Sequence, residues 1–119
     1  MRVSDLEKAV IERFLADPAL RSNKRSINFE AVNVRSREFT GVGFLTDFHR
    51  SDELKLFDEG VSLRWGKIGV RLNASRTDSG YLVYVDEGYL KTIEGYTYGE
   101  DWPVEIEQME VYDLKHVPA

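Results

Sequence analysis

Residues 94–103, EGYTYGEDWP, carry the strongest fold signal in this sequence. They contain two tyrosines at strand spacing, two glycines, three carboxylates and a Trp-Pro corner. Because side chains alternate along a strand, Glu94, Tyr96 and Tyr98 are predicted to share one face. The opposite face is small, formed by Thr97 and the two glycines, so we expect a helix or a neighbouring backbone to approach it closely.

The N-terminal segment has the pattern of a capped amphipathic helix. Ser4 and Glu7 form a capping box, in which each side chain can bond the backbone N–H of the other residue. The pattern ends at Asp17, because the residue before a proline disfavours helical angles. We expect a helix of about three turns, packed on an apolar surface through Leu6, Val10 and Phe14.

From residue 27 onward the hydrophobic period changes to two, which is typical of strands. A change of parity near Ala31 predicts a bulge in the first strand. Residues 61–72 are consistent with either a tight hairpin or one bulged strand around Gly66. The predicted strand regions are 27–34, 39–48, 61–72, 81–85, 89–98 and 104–112, with the acidic last strand at a sheet edge.

The connections between these strands are short and polar. Residues 35–38 and 73–80 read as surface turns, and residues 113–119 as a frayed tail. Residues 49–60 read as a loop attached to the core by its apolar side chains. We therefore predict one α+β domain over residues 1–119, in which the N-terminal helix packs on a meandering, mainly antiparallel sheet of six or seven strands.

The composition excludes several classes of protein. The chain is 42% hydrophobic and 31% charged, as is usual for a globular protein. It contains no cysteine, which excludes a disulfide framework and thiolate zinc sites. No apolar run approaches the roughly 20 residues that cross a bilayer, and acids lie near the N-terminus where a signal peptide has an apolar core. We predict a cytoplasmic protein with no membrane partner.

Charge is distributed unevenly along the chain. The net charge is −5, and residues 86–113 hold nine acids against Lys91. Residues 21–37 hold five basic residues against Glu30. The two regions can pair internally, or the acidic one can present a face to a basic protein partner. The overall acidic balance argues against a nucleic-acid ligand.

The sequence contains no catalytic signature. Gly41 and Gly43 lack the third glycine and the following helix of a dinucleotide fingerprint, and no serine lies in a G-x-S-x-G elbow. Asp47 and His49 share a strand face and could hold a metal, but the other histidine is His116 in the tail. We expect Asp47 and His49 to be a solvated pair, and we predict no metal and no cofactor.

Residues 94–103 also contain the best candidate for recognition. Tyrosine offers apolar area with a polar tip and suits interfaces. The alternative is that Tyr96 and Tyr98 pack under the helix with their hydroxyls at the rim. The candidate binding residues are Glu94, Tyr96, Tyr98, Glu100, Asp101 and Trp102.

Two motifs resemble those of a family of small, uncharacterised bacterial proteins. They are GVGFLTDF at residues 41–48 and EGYTYGEDWP at residues 94–103, and the resemblance covers most of residues 4–104. Leu45 stands where the family pattern has an aromatic residue, and the spacing before Trp102 differs by one residue. The resemblance implies a common fold and supplies no activity.

Three functions follow as hypotheses. The leading one is a small protein-binding domain that neutralises a basic partner through its acidic, tyrosine-bearing face, by analogy with immunity proteins in size and charge. The second is a small-molecule-binding or enzymatic domain with a site near Asp47, His49, Tyr96 and Trp102. The third is a homodimer formed through an edge strand.

Overall fold

The structure is a computed structural model that describes residues 1–73 and 77–114. Residues 74–76, in the middle of one predicted turn, and residues 115–119, which include His116 and most of the predicted tail, lie outside the described residues. The molecule measures 39 × 39 × 20 Å, which fits one helix layer on one sheet layer about 10 Å away.

The N-terminal helix, α1 (Asp5–Leu15), forms as its sequence predicts. The hydroxyl of Ser4 accepts from the backbone N–H of Glu7 at 3.1 Å, and the Glu7 carboxylate accepts from the backbone N–H of Ser4 at 2.8 Å. Both halves of the capping box are therefore confirmed. The apolar stripe of α1 is buried, including Leu6, Val10 and Phe14.

Seven strands form one sheet in which every pairing is antiparallel. The order is β1-β2-β6-β5-β4-β7, and β3 pairs with the part of β5 that extends beyond β4. The predicted α+β architecture is confirmed, as is the edge position of the last strand. The strands are β1 (Val34–Phe39), β2 (Gly43–Phe48), β3 (Leu63–Trp65), β4 (Ile68–Leu72), β5 (Thr77–Asp86), β6 (Tyr89–Thr97) and β7 (Met109–Asp113).

The start of the sheet differs from the prediction. A 3-10 turn at Phe29–Ala31 replaces the predicted strand 27–34, because the side chain of Asn28 caps it by accepting from the N–H of Glu30. The predicted turn at 35–38 is instead the middle of β1, and the register shift in this strand lies near residue 35.

The chain turns later, where Gly41 adopts a φ of +90°, a conformation that favours glycine. The predicted strand 39–48 is accordingly two strands, because Phe39 ends β1 and β2 begins at Gly43.

The pairing of β3 and β4 with β5 decides between the hairpin and the bulged strand predicted for residues 61–72. Trp65 lies opposite Val83, and Gly69 lies opposite Gly80. The chain therefore advances four residues from Trp65 to Gly69, whereas β5 advances three residues between the two partners. One extra residue at the break is a β-bulge, and the two runs form a single bulged line along β5 rather than a hairpin.

Two further boundaries differ from the prediction. β5 already begins at Thr77, inside the predicted turn 73–80, because Ser79 is buried and donates a hydrogen bond to the Val70 carbonyl at 2.8 Å. The last strand begins at Met109 instead of residue 104, because the preceding segment is held by Asn73, whose side-chain oxygen accepts from the N–H groups of residues 107 and 108.

The core lies between α1 and the sheet. The ring of Phe14 makes edge contacts with Phe57 at 6.0 Å and with Trp65 at 5.2 Å between ring centroids. The expectation that residues 49–60 attach to the core is confirmed, since Leu54, Leu56 and Phe57 are buried. Among the described residues, no helix is long and apolar enough to span a membrane.

Candidate functional site

The outer face of the sheet, defined as the side away from α1, carries three of the six predicted binding residues, Glu94, Tyr96 and Tyr98. Ile93, Gly95 and Thr97 of β6 are buried against the core, whereas Glu94 and Tyr96 are only partly buried. Tyr96 therefore does not pack under the helix. Tyr98, just beyond the end of β6, is 57% exposed, and its ring meets that of Tyr96 at 5.7 Å between centroids and 88°.

Large tyrosines and glycines alternate across the outer face. Tyr96 lies opposite Gly43 on one side and Gly80 on the other, and Tyr112 lies opposite Gly69. A Cβ on Gly80 would come within 2.7 Å of the Tyr96 hydroxyl, and one on Gly69 within 2.7 Å of the Tyr112 hydroxyl. The two rings thus lie flat over the glycines of neighbouring strands, which is how aromatic residues protect glycine backbone in sheets.

Carboxylates accept hydrogen bonds from these tyrosines. The hydroxyl of Tyr112 donates to Asp78 at 2.9 Å, and that of Tyr84 donates to Glu94 at 3.1 Å. Burial, the hydrogen bond to Asp78 and the charge of Asp78 raise the pKa of Tyr112 to about 12. Burial and the nearby Tyr96 and Asp78 also raise the pKa of Tyr98. The hydroxyls of Tyr98 and Tyr112 consequently remain neutral donors at physiological pH.

Acids outnumber bases on the outer face. Arg71 lies 3.7 Å from Asp78 and 3.9 Å from Glu110, so it pairs with both. Glu94 and Asp47 instead accept from hydroxyls, those of Tyr84 and Thr92. By strand register, the acids of this face include Glu38, Asp47, Asp78, Asp86, Glu94 and Glu110, against Arg64, Arg71 and Arg50, whose guanidinium lies over the ring of Tyr89 and 3.8 Å from Asp86.

The second half of the predicted site turns away from the outer face. Gly99 has a φ of +90°, and the chain reverses there. Glu100 and Asp101 are exposed at the rim, where the Glu100 carboxylate accepts from the Thr77 hydroxyl at 3.0 Å. Trp102 lies on the helix side, with its ring 5.1 Å from that of Phe44. The six candidate residues are therefore divided between two faces and a rim.

The alternative site is not brought together. Asp47 lies opposite Thr92, four residues along β6 from Tyr96, a separation of roughly 13 Å at the rise of a strand. His49 is exposed beyond the end of β2, and its backbone N–H donates to the carbonyl of Asn33. Within residues 1–73 and 77–114, no group of three His, Cys, Asp or Glu side chains is arranged to hold a metal.

The structure also contains a buried ion pair that sequence reasoning missed. Glu7 is 1% exposed and accepts from the guanidinium of Arg37 at 2.6 and 3.0 Å and from the hydroxyl of Thr46. Burial alone would raise the pKa of Glu7, but hydrogen bonds from Arg37, Ser4 and Thr46 hold it below its ordinary value. The available signal was Thr46, a polar residue that alternates with the large apolar residues Phe44 and Phe48 along β2.

A groove opens beside this ion pair. It has a volume of about 370 Å³ and lies between the first turn of α1, the adjoining ends of β1 and β2, and residues 102–109. Its lining is mainly apolar, with Glu7 and Arg37 among it. Apolar lining residues are Leu6, Phe39, Phe44, Trp102, Val104, Ile106 and Met109.

The chain matches no protein-family model, no curated protein and no solved structure at a level that shows a relationship. The geometry of this chain offers two distinct surfaces, the acidic tyrosine face and the groove on the helix side.

Proposed function

We propose that this chain is a protein-binding domain that takes a basic partner on the outer face of its sheet. The observation that carries the proposal is the group of Tyr84, Tyr96, Tyr98 and Tyr112 on the sheet face away from α1, with carboxylates between them. Tyrosine contributes large contact area with little conformational entropy to lose, which is why it is enriched in protein interfaces.

The chemistry of this face suits arginine and lysine side chains. An aromatic ring attracts a cation over its face, with about 0.5–1 kcal/mol at exposed sites. The carboxylates of Glu94 and Asp78 add the negative potential that steers a basic partner towards the face. The rim acids Glu100 and Asp101 extend that potential past the end of β6. Neutralisation of a basic protein, as in the immunity-protein analogy, remains the function that best accounts for this combination.

The test uses a fluorescein-labelled nona-arginine peptide and the full chain, with binding followed by fluorescence anisotropy at 20 and 200 mM salt. We expect binding that weakens steeply with salt, because exposed charges are screened over roughly 8 Å at 0.15 M salt. The double variant Glu94→Gln/Asp78→Asn should weaken binding about fivefold or more, at about 0.5–1 kcal/mol per exposed charge.

A matched control separates this face from net charge. Glu12→Gln/Glu59→Gln removes the same two charges from exposed positions outside the outer face, one of them on α1. It should change the affinity by less than about twofold. Equal weakening by both double variants, or binding that does not respond to salt, would contradict the proposal.

The other two hypotheses remain predictions with less support. The residues of the small-molecule site, Asp47, His49, Tyr96 and Trp102, do not line a common groove with one another. A homodimer would use β1 or β7, the strands at the two ends of the sheet order, and sedimentation velocity of the purified chain would test it.

A further inference from the structure

The groove on the helix side exposes an unusual amount of apolar surface. Phe39 is 66% exposed, Val104 is fully exposed and Met109 is 38% exposed. The ring of Phe39 lies 6.5 Å from that of Phe44, which in turn contacts Trp102, so aromatic rings form a continuous row along one wall. Large apolar side chains exposed together in a concave surface are typical of interaction sites rather than of ordinary surface.

The polar groups at the base of the groove are already satisfied. Glu7 accepts from Arg37, Thr46 and the N–H of Ser4, and the guanidinium of Arg37 also donates to the carbonyl of Arg2. A small polar ligand would need free donors or acceptors to orient it. Since Glu7 and Arg37 are committed to each other, the groove selects its occupant chiefly by apolar contact.

The rim of the groove is acidic. Asp5 and Glu107 are among its lining residues, and Arg37, the cation among them, is paired with Glu7. One wall is formed by residues 102–109, WPVEIEQM, which contain Glu105 and Glu107 and no lysine or arginine. Apolar and acidic residues alternate in this wall from Val104 to Glu107. The wall is therefore complementary to a segment that has apolar anchors and positive flanks.

We propose that this groove binds a peptide segment of a partner protein in which one or two large apolar side chains, such as leucine or phenylalanine, are flanked by lysine or arginine. The apolar side chains would lie against the row of Phe39, Phe44 and Trp102, and the basic flanks would lie beside the acidic rim. The volume of about 370 Å³ falls near the lower end of the range for ligand pockets, roughly 300–1,000 Å³. The proposal does not depend on the outer face, which lies on the other side of the sheet.

The test uses three peptides with the full ¹⁵N-labelled chain: KKLFLKK, the basic control KKSGSKK and the acidic control EELFLEE. The two tryptophan indoles provide an internal comparison. Trp65 is buried and its indole N–H donates to Asp17 at 2.8 Å, whereas Trp102 lines the groove. We expect KKLFLKK to shift the indole signal of Trp102 and to leave that of Trp65 in place. Each control peptide should bind at least tenfold more weakly.

Variants at exposed positions then test the groove without disturbing the core. Val104→Ser and Phe39→Ser should each weaken KKLFLKK binding about fivefold or more, because both side chains are exposed in the free chain and are covered in the complex. Leu114→Ser is the matched control, since Leu114 is an exposed apolar residue near the last turn of α1, outside the groove. It should leave the affinity unchanged.

Several results would overturn the proposal. The first is equal binding of the acidic and basic apolar peptides, which would remove the role of the rim. The second is equal weakening by Leu114→Ser and Val104→Ser. The third is self-association of the chain that Val104→Ser and Phe39→Ser abolish, since a second copy would then be the occupant. The nona-arginine experiment on the outer face can fail or succeed independently of all three.

Discussion

The two faces of β6 arrange large and small residues in opposite ways. On the inner face a small residue, Gly95, lies between the rings of Phe44 and Tyr81. On the outer face a large residue, Tyr96, lies between Gly43 and Gly80. The inner rings are almost completely buried and the outer ring is not, so the same alternation of large and small residues gives a core on one side and a partly exposed aromatic surface on the other. The difference is what covers each face: α1 covers the inner one.

The largest effect on stability is expected from adding one methyl group to the inner face of the sheet and, in a second variant, to the outer face. A Cβ on Gly95 would clash with the buried rings of Phe44 and Tyr81, so Gly95→Ala should lower the free energy of unfolding by about 2–3 kcal/mol. Gly80→Ala meets only the far end of Tyr96, which can move into solvent, and should lower it by less than about 1 kcal/mol. Urea denaturation of both variants measures this, and equal losses would refute the contrast between the faces.

A smaller effect should follow from neutralising one carboxylate on each side. Glu7→Gln leaves the guanidinium of Arg37 without its buried counterion, so it should lower the free energy of unfolding at pH 7 by about 2 kcal/mol. Glu94→Gln, at a partly exposed outer position, should change it by less than about 0.5 kcal/mol.

The carboxylate of Glu7 should also make the free energy of unfolding depend on acid pH. The pKa of Glu7 is lowered from 4.5 on folding, so its stabilising contribution is present above that value and is lost as the pH falls through the folded pKa. The stability of Glu7→Gln should therefore fall less steeply than that of the natural chain below about pH 4.5. Parallel acid profiles for the two proteins would contradict this account.

The smallest effect is expected from removing one tyrosine hydroxyl on each face. The hydroxyl of Tyr81 is buried and hydrogen-bonded to Ser79 at 2.7 Å, so Tyr81→Phe should lower the free energy of unfolding by about 1 kcal/mol. Tyr96→Phe, on the half-buried outer ring, should be nearly neutral in stability.

Alkaline pH provides the second measurement on Tyr81. Burial raises its pKa well above 10, so the folded state resists deprotonation and stability is lost as the pH rises above that of the unfolded side chain. Tyr81→Phe should flatten this loss between pH 10 and 11, as measured by urea denaturation. An unchanged slope would show that other groups govern alkaline unfolding.

Sequence reasoning succeeded where the cause of a structure is local. The capping box and the apolar stripe of α1 lie within one short segment, and the alternation along β6 places Glu94 and Tyr96 together. It failed where the cause is distant. Arg37 looked like a turn residue because its partner, Glu7, is 30 residues away and accounts for an inward-pointing charge in β1.

The candidate site shows the same limit. Alternation indicated that Tyr96 and Tyr98 share a side but not which side α1 would cover, because helix docking depends on contacts between distant segments. Trp102 was grouped with the tyrosines because it is close in sequence, whereas the reversal at Gly99 sends it to the helix side. Tyr112 and Asp78 joined the site only through the sheet order.

The sheet order also has a consequence for how the chain folds. The β1–β2 and β5–β6 hairpins each bring together residues close in sequence, but the central pairing of β2 with β6 joins Gly43 to Tyr96. Loop closure costs only about 0.6 kcal/mol more for each doubling of length, so this connection barely lowers stability. Its larger effect is on the folding rate, because non-local pairings slow folding. Each hairpin therefore has an unpaired strand edge until β2 pairs with β6. Tyr96 lies between Gly43 and Gly80 only after this pairing has formed.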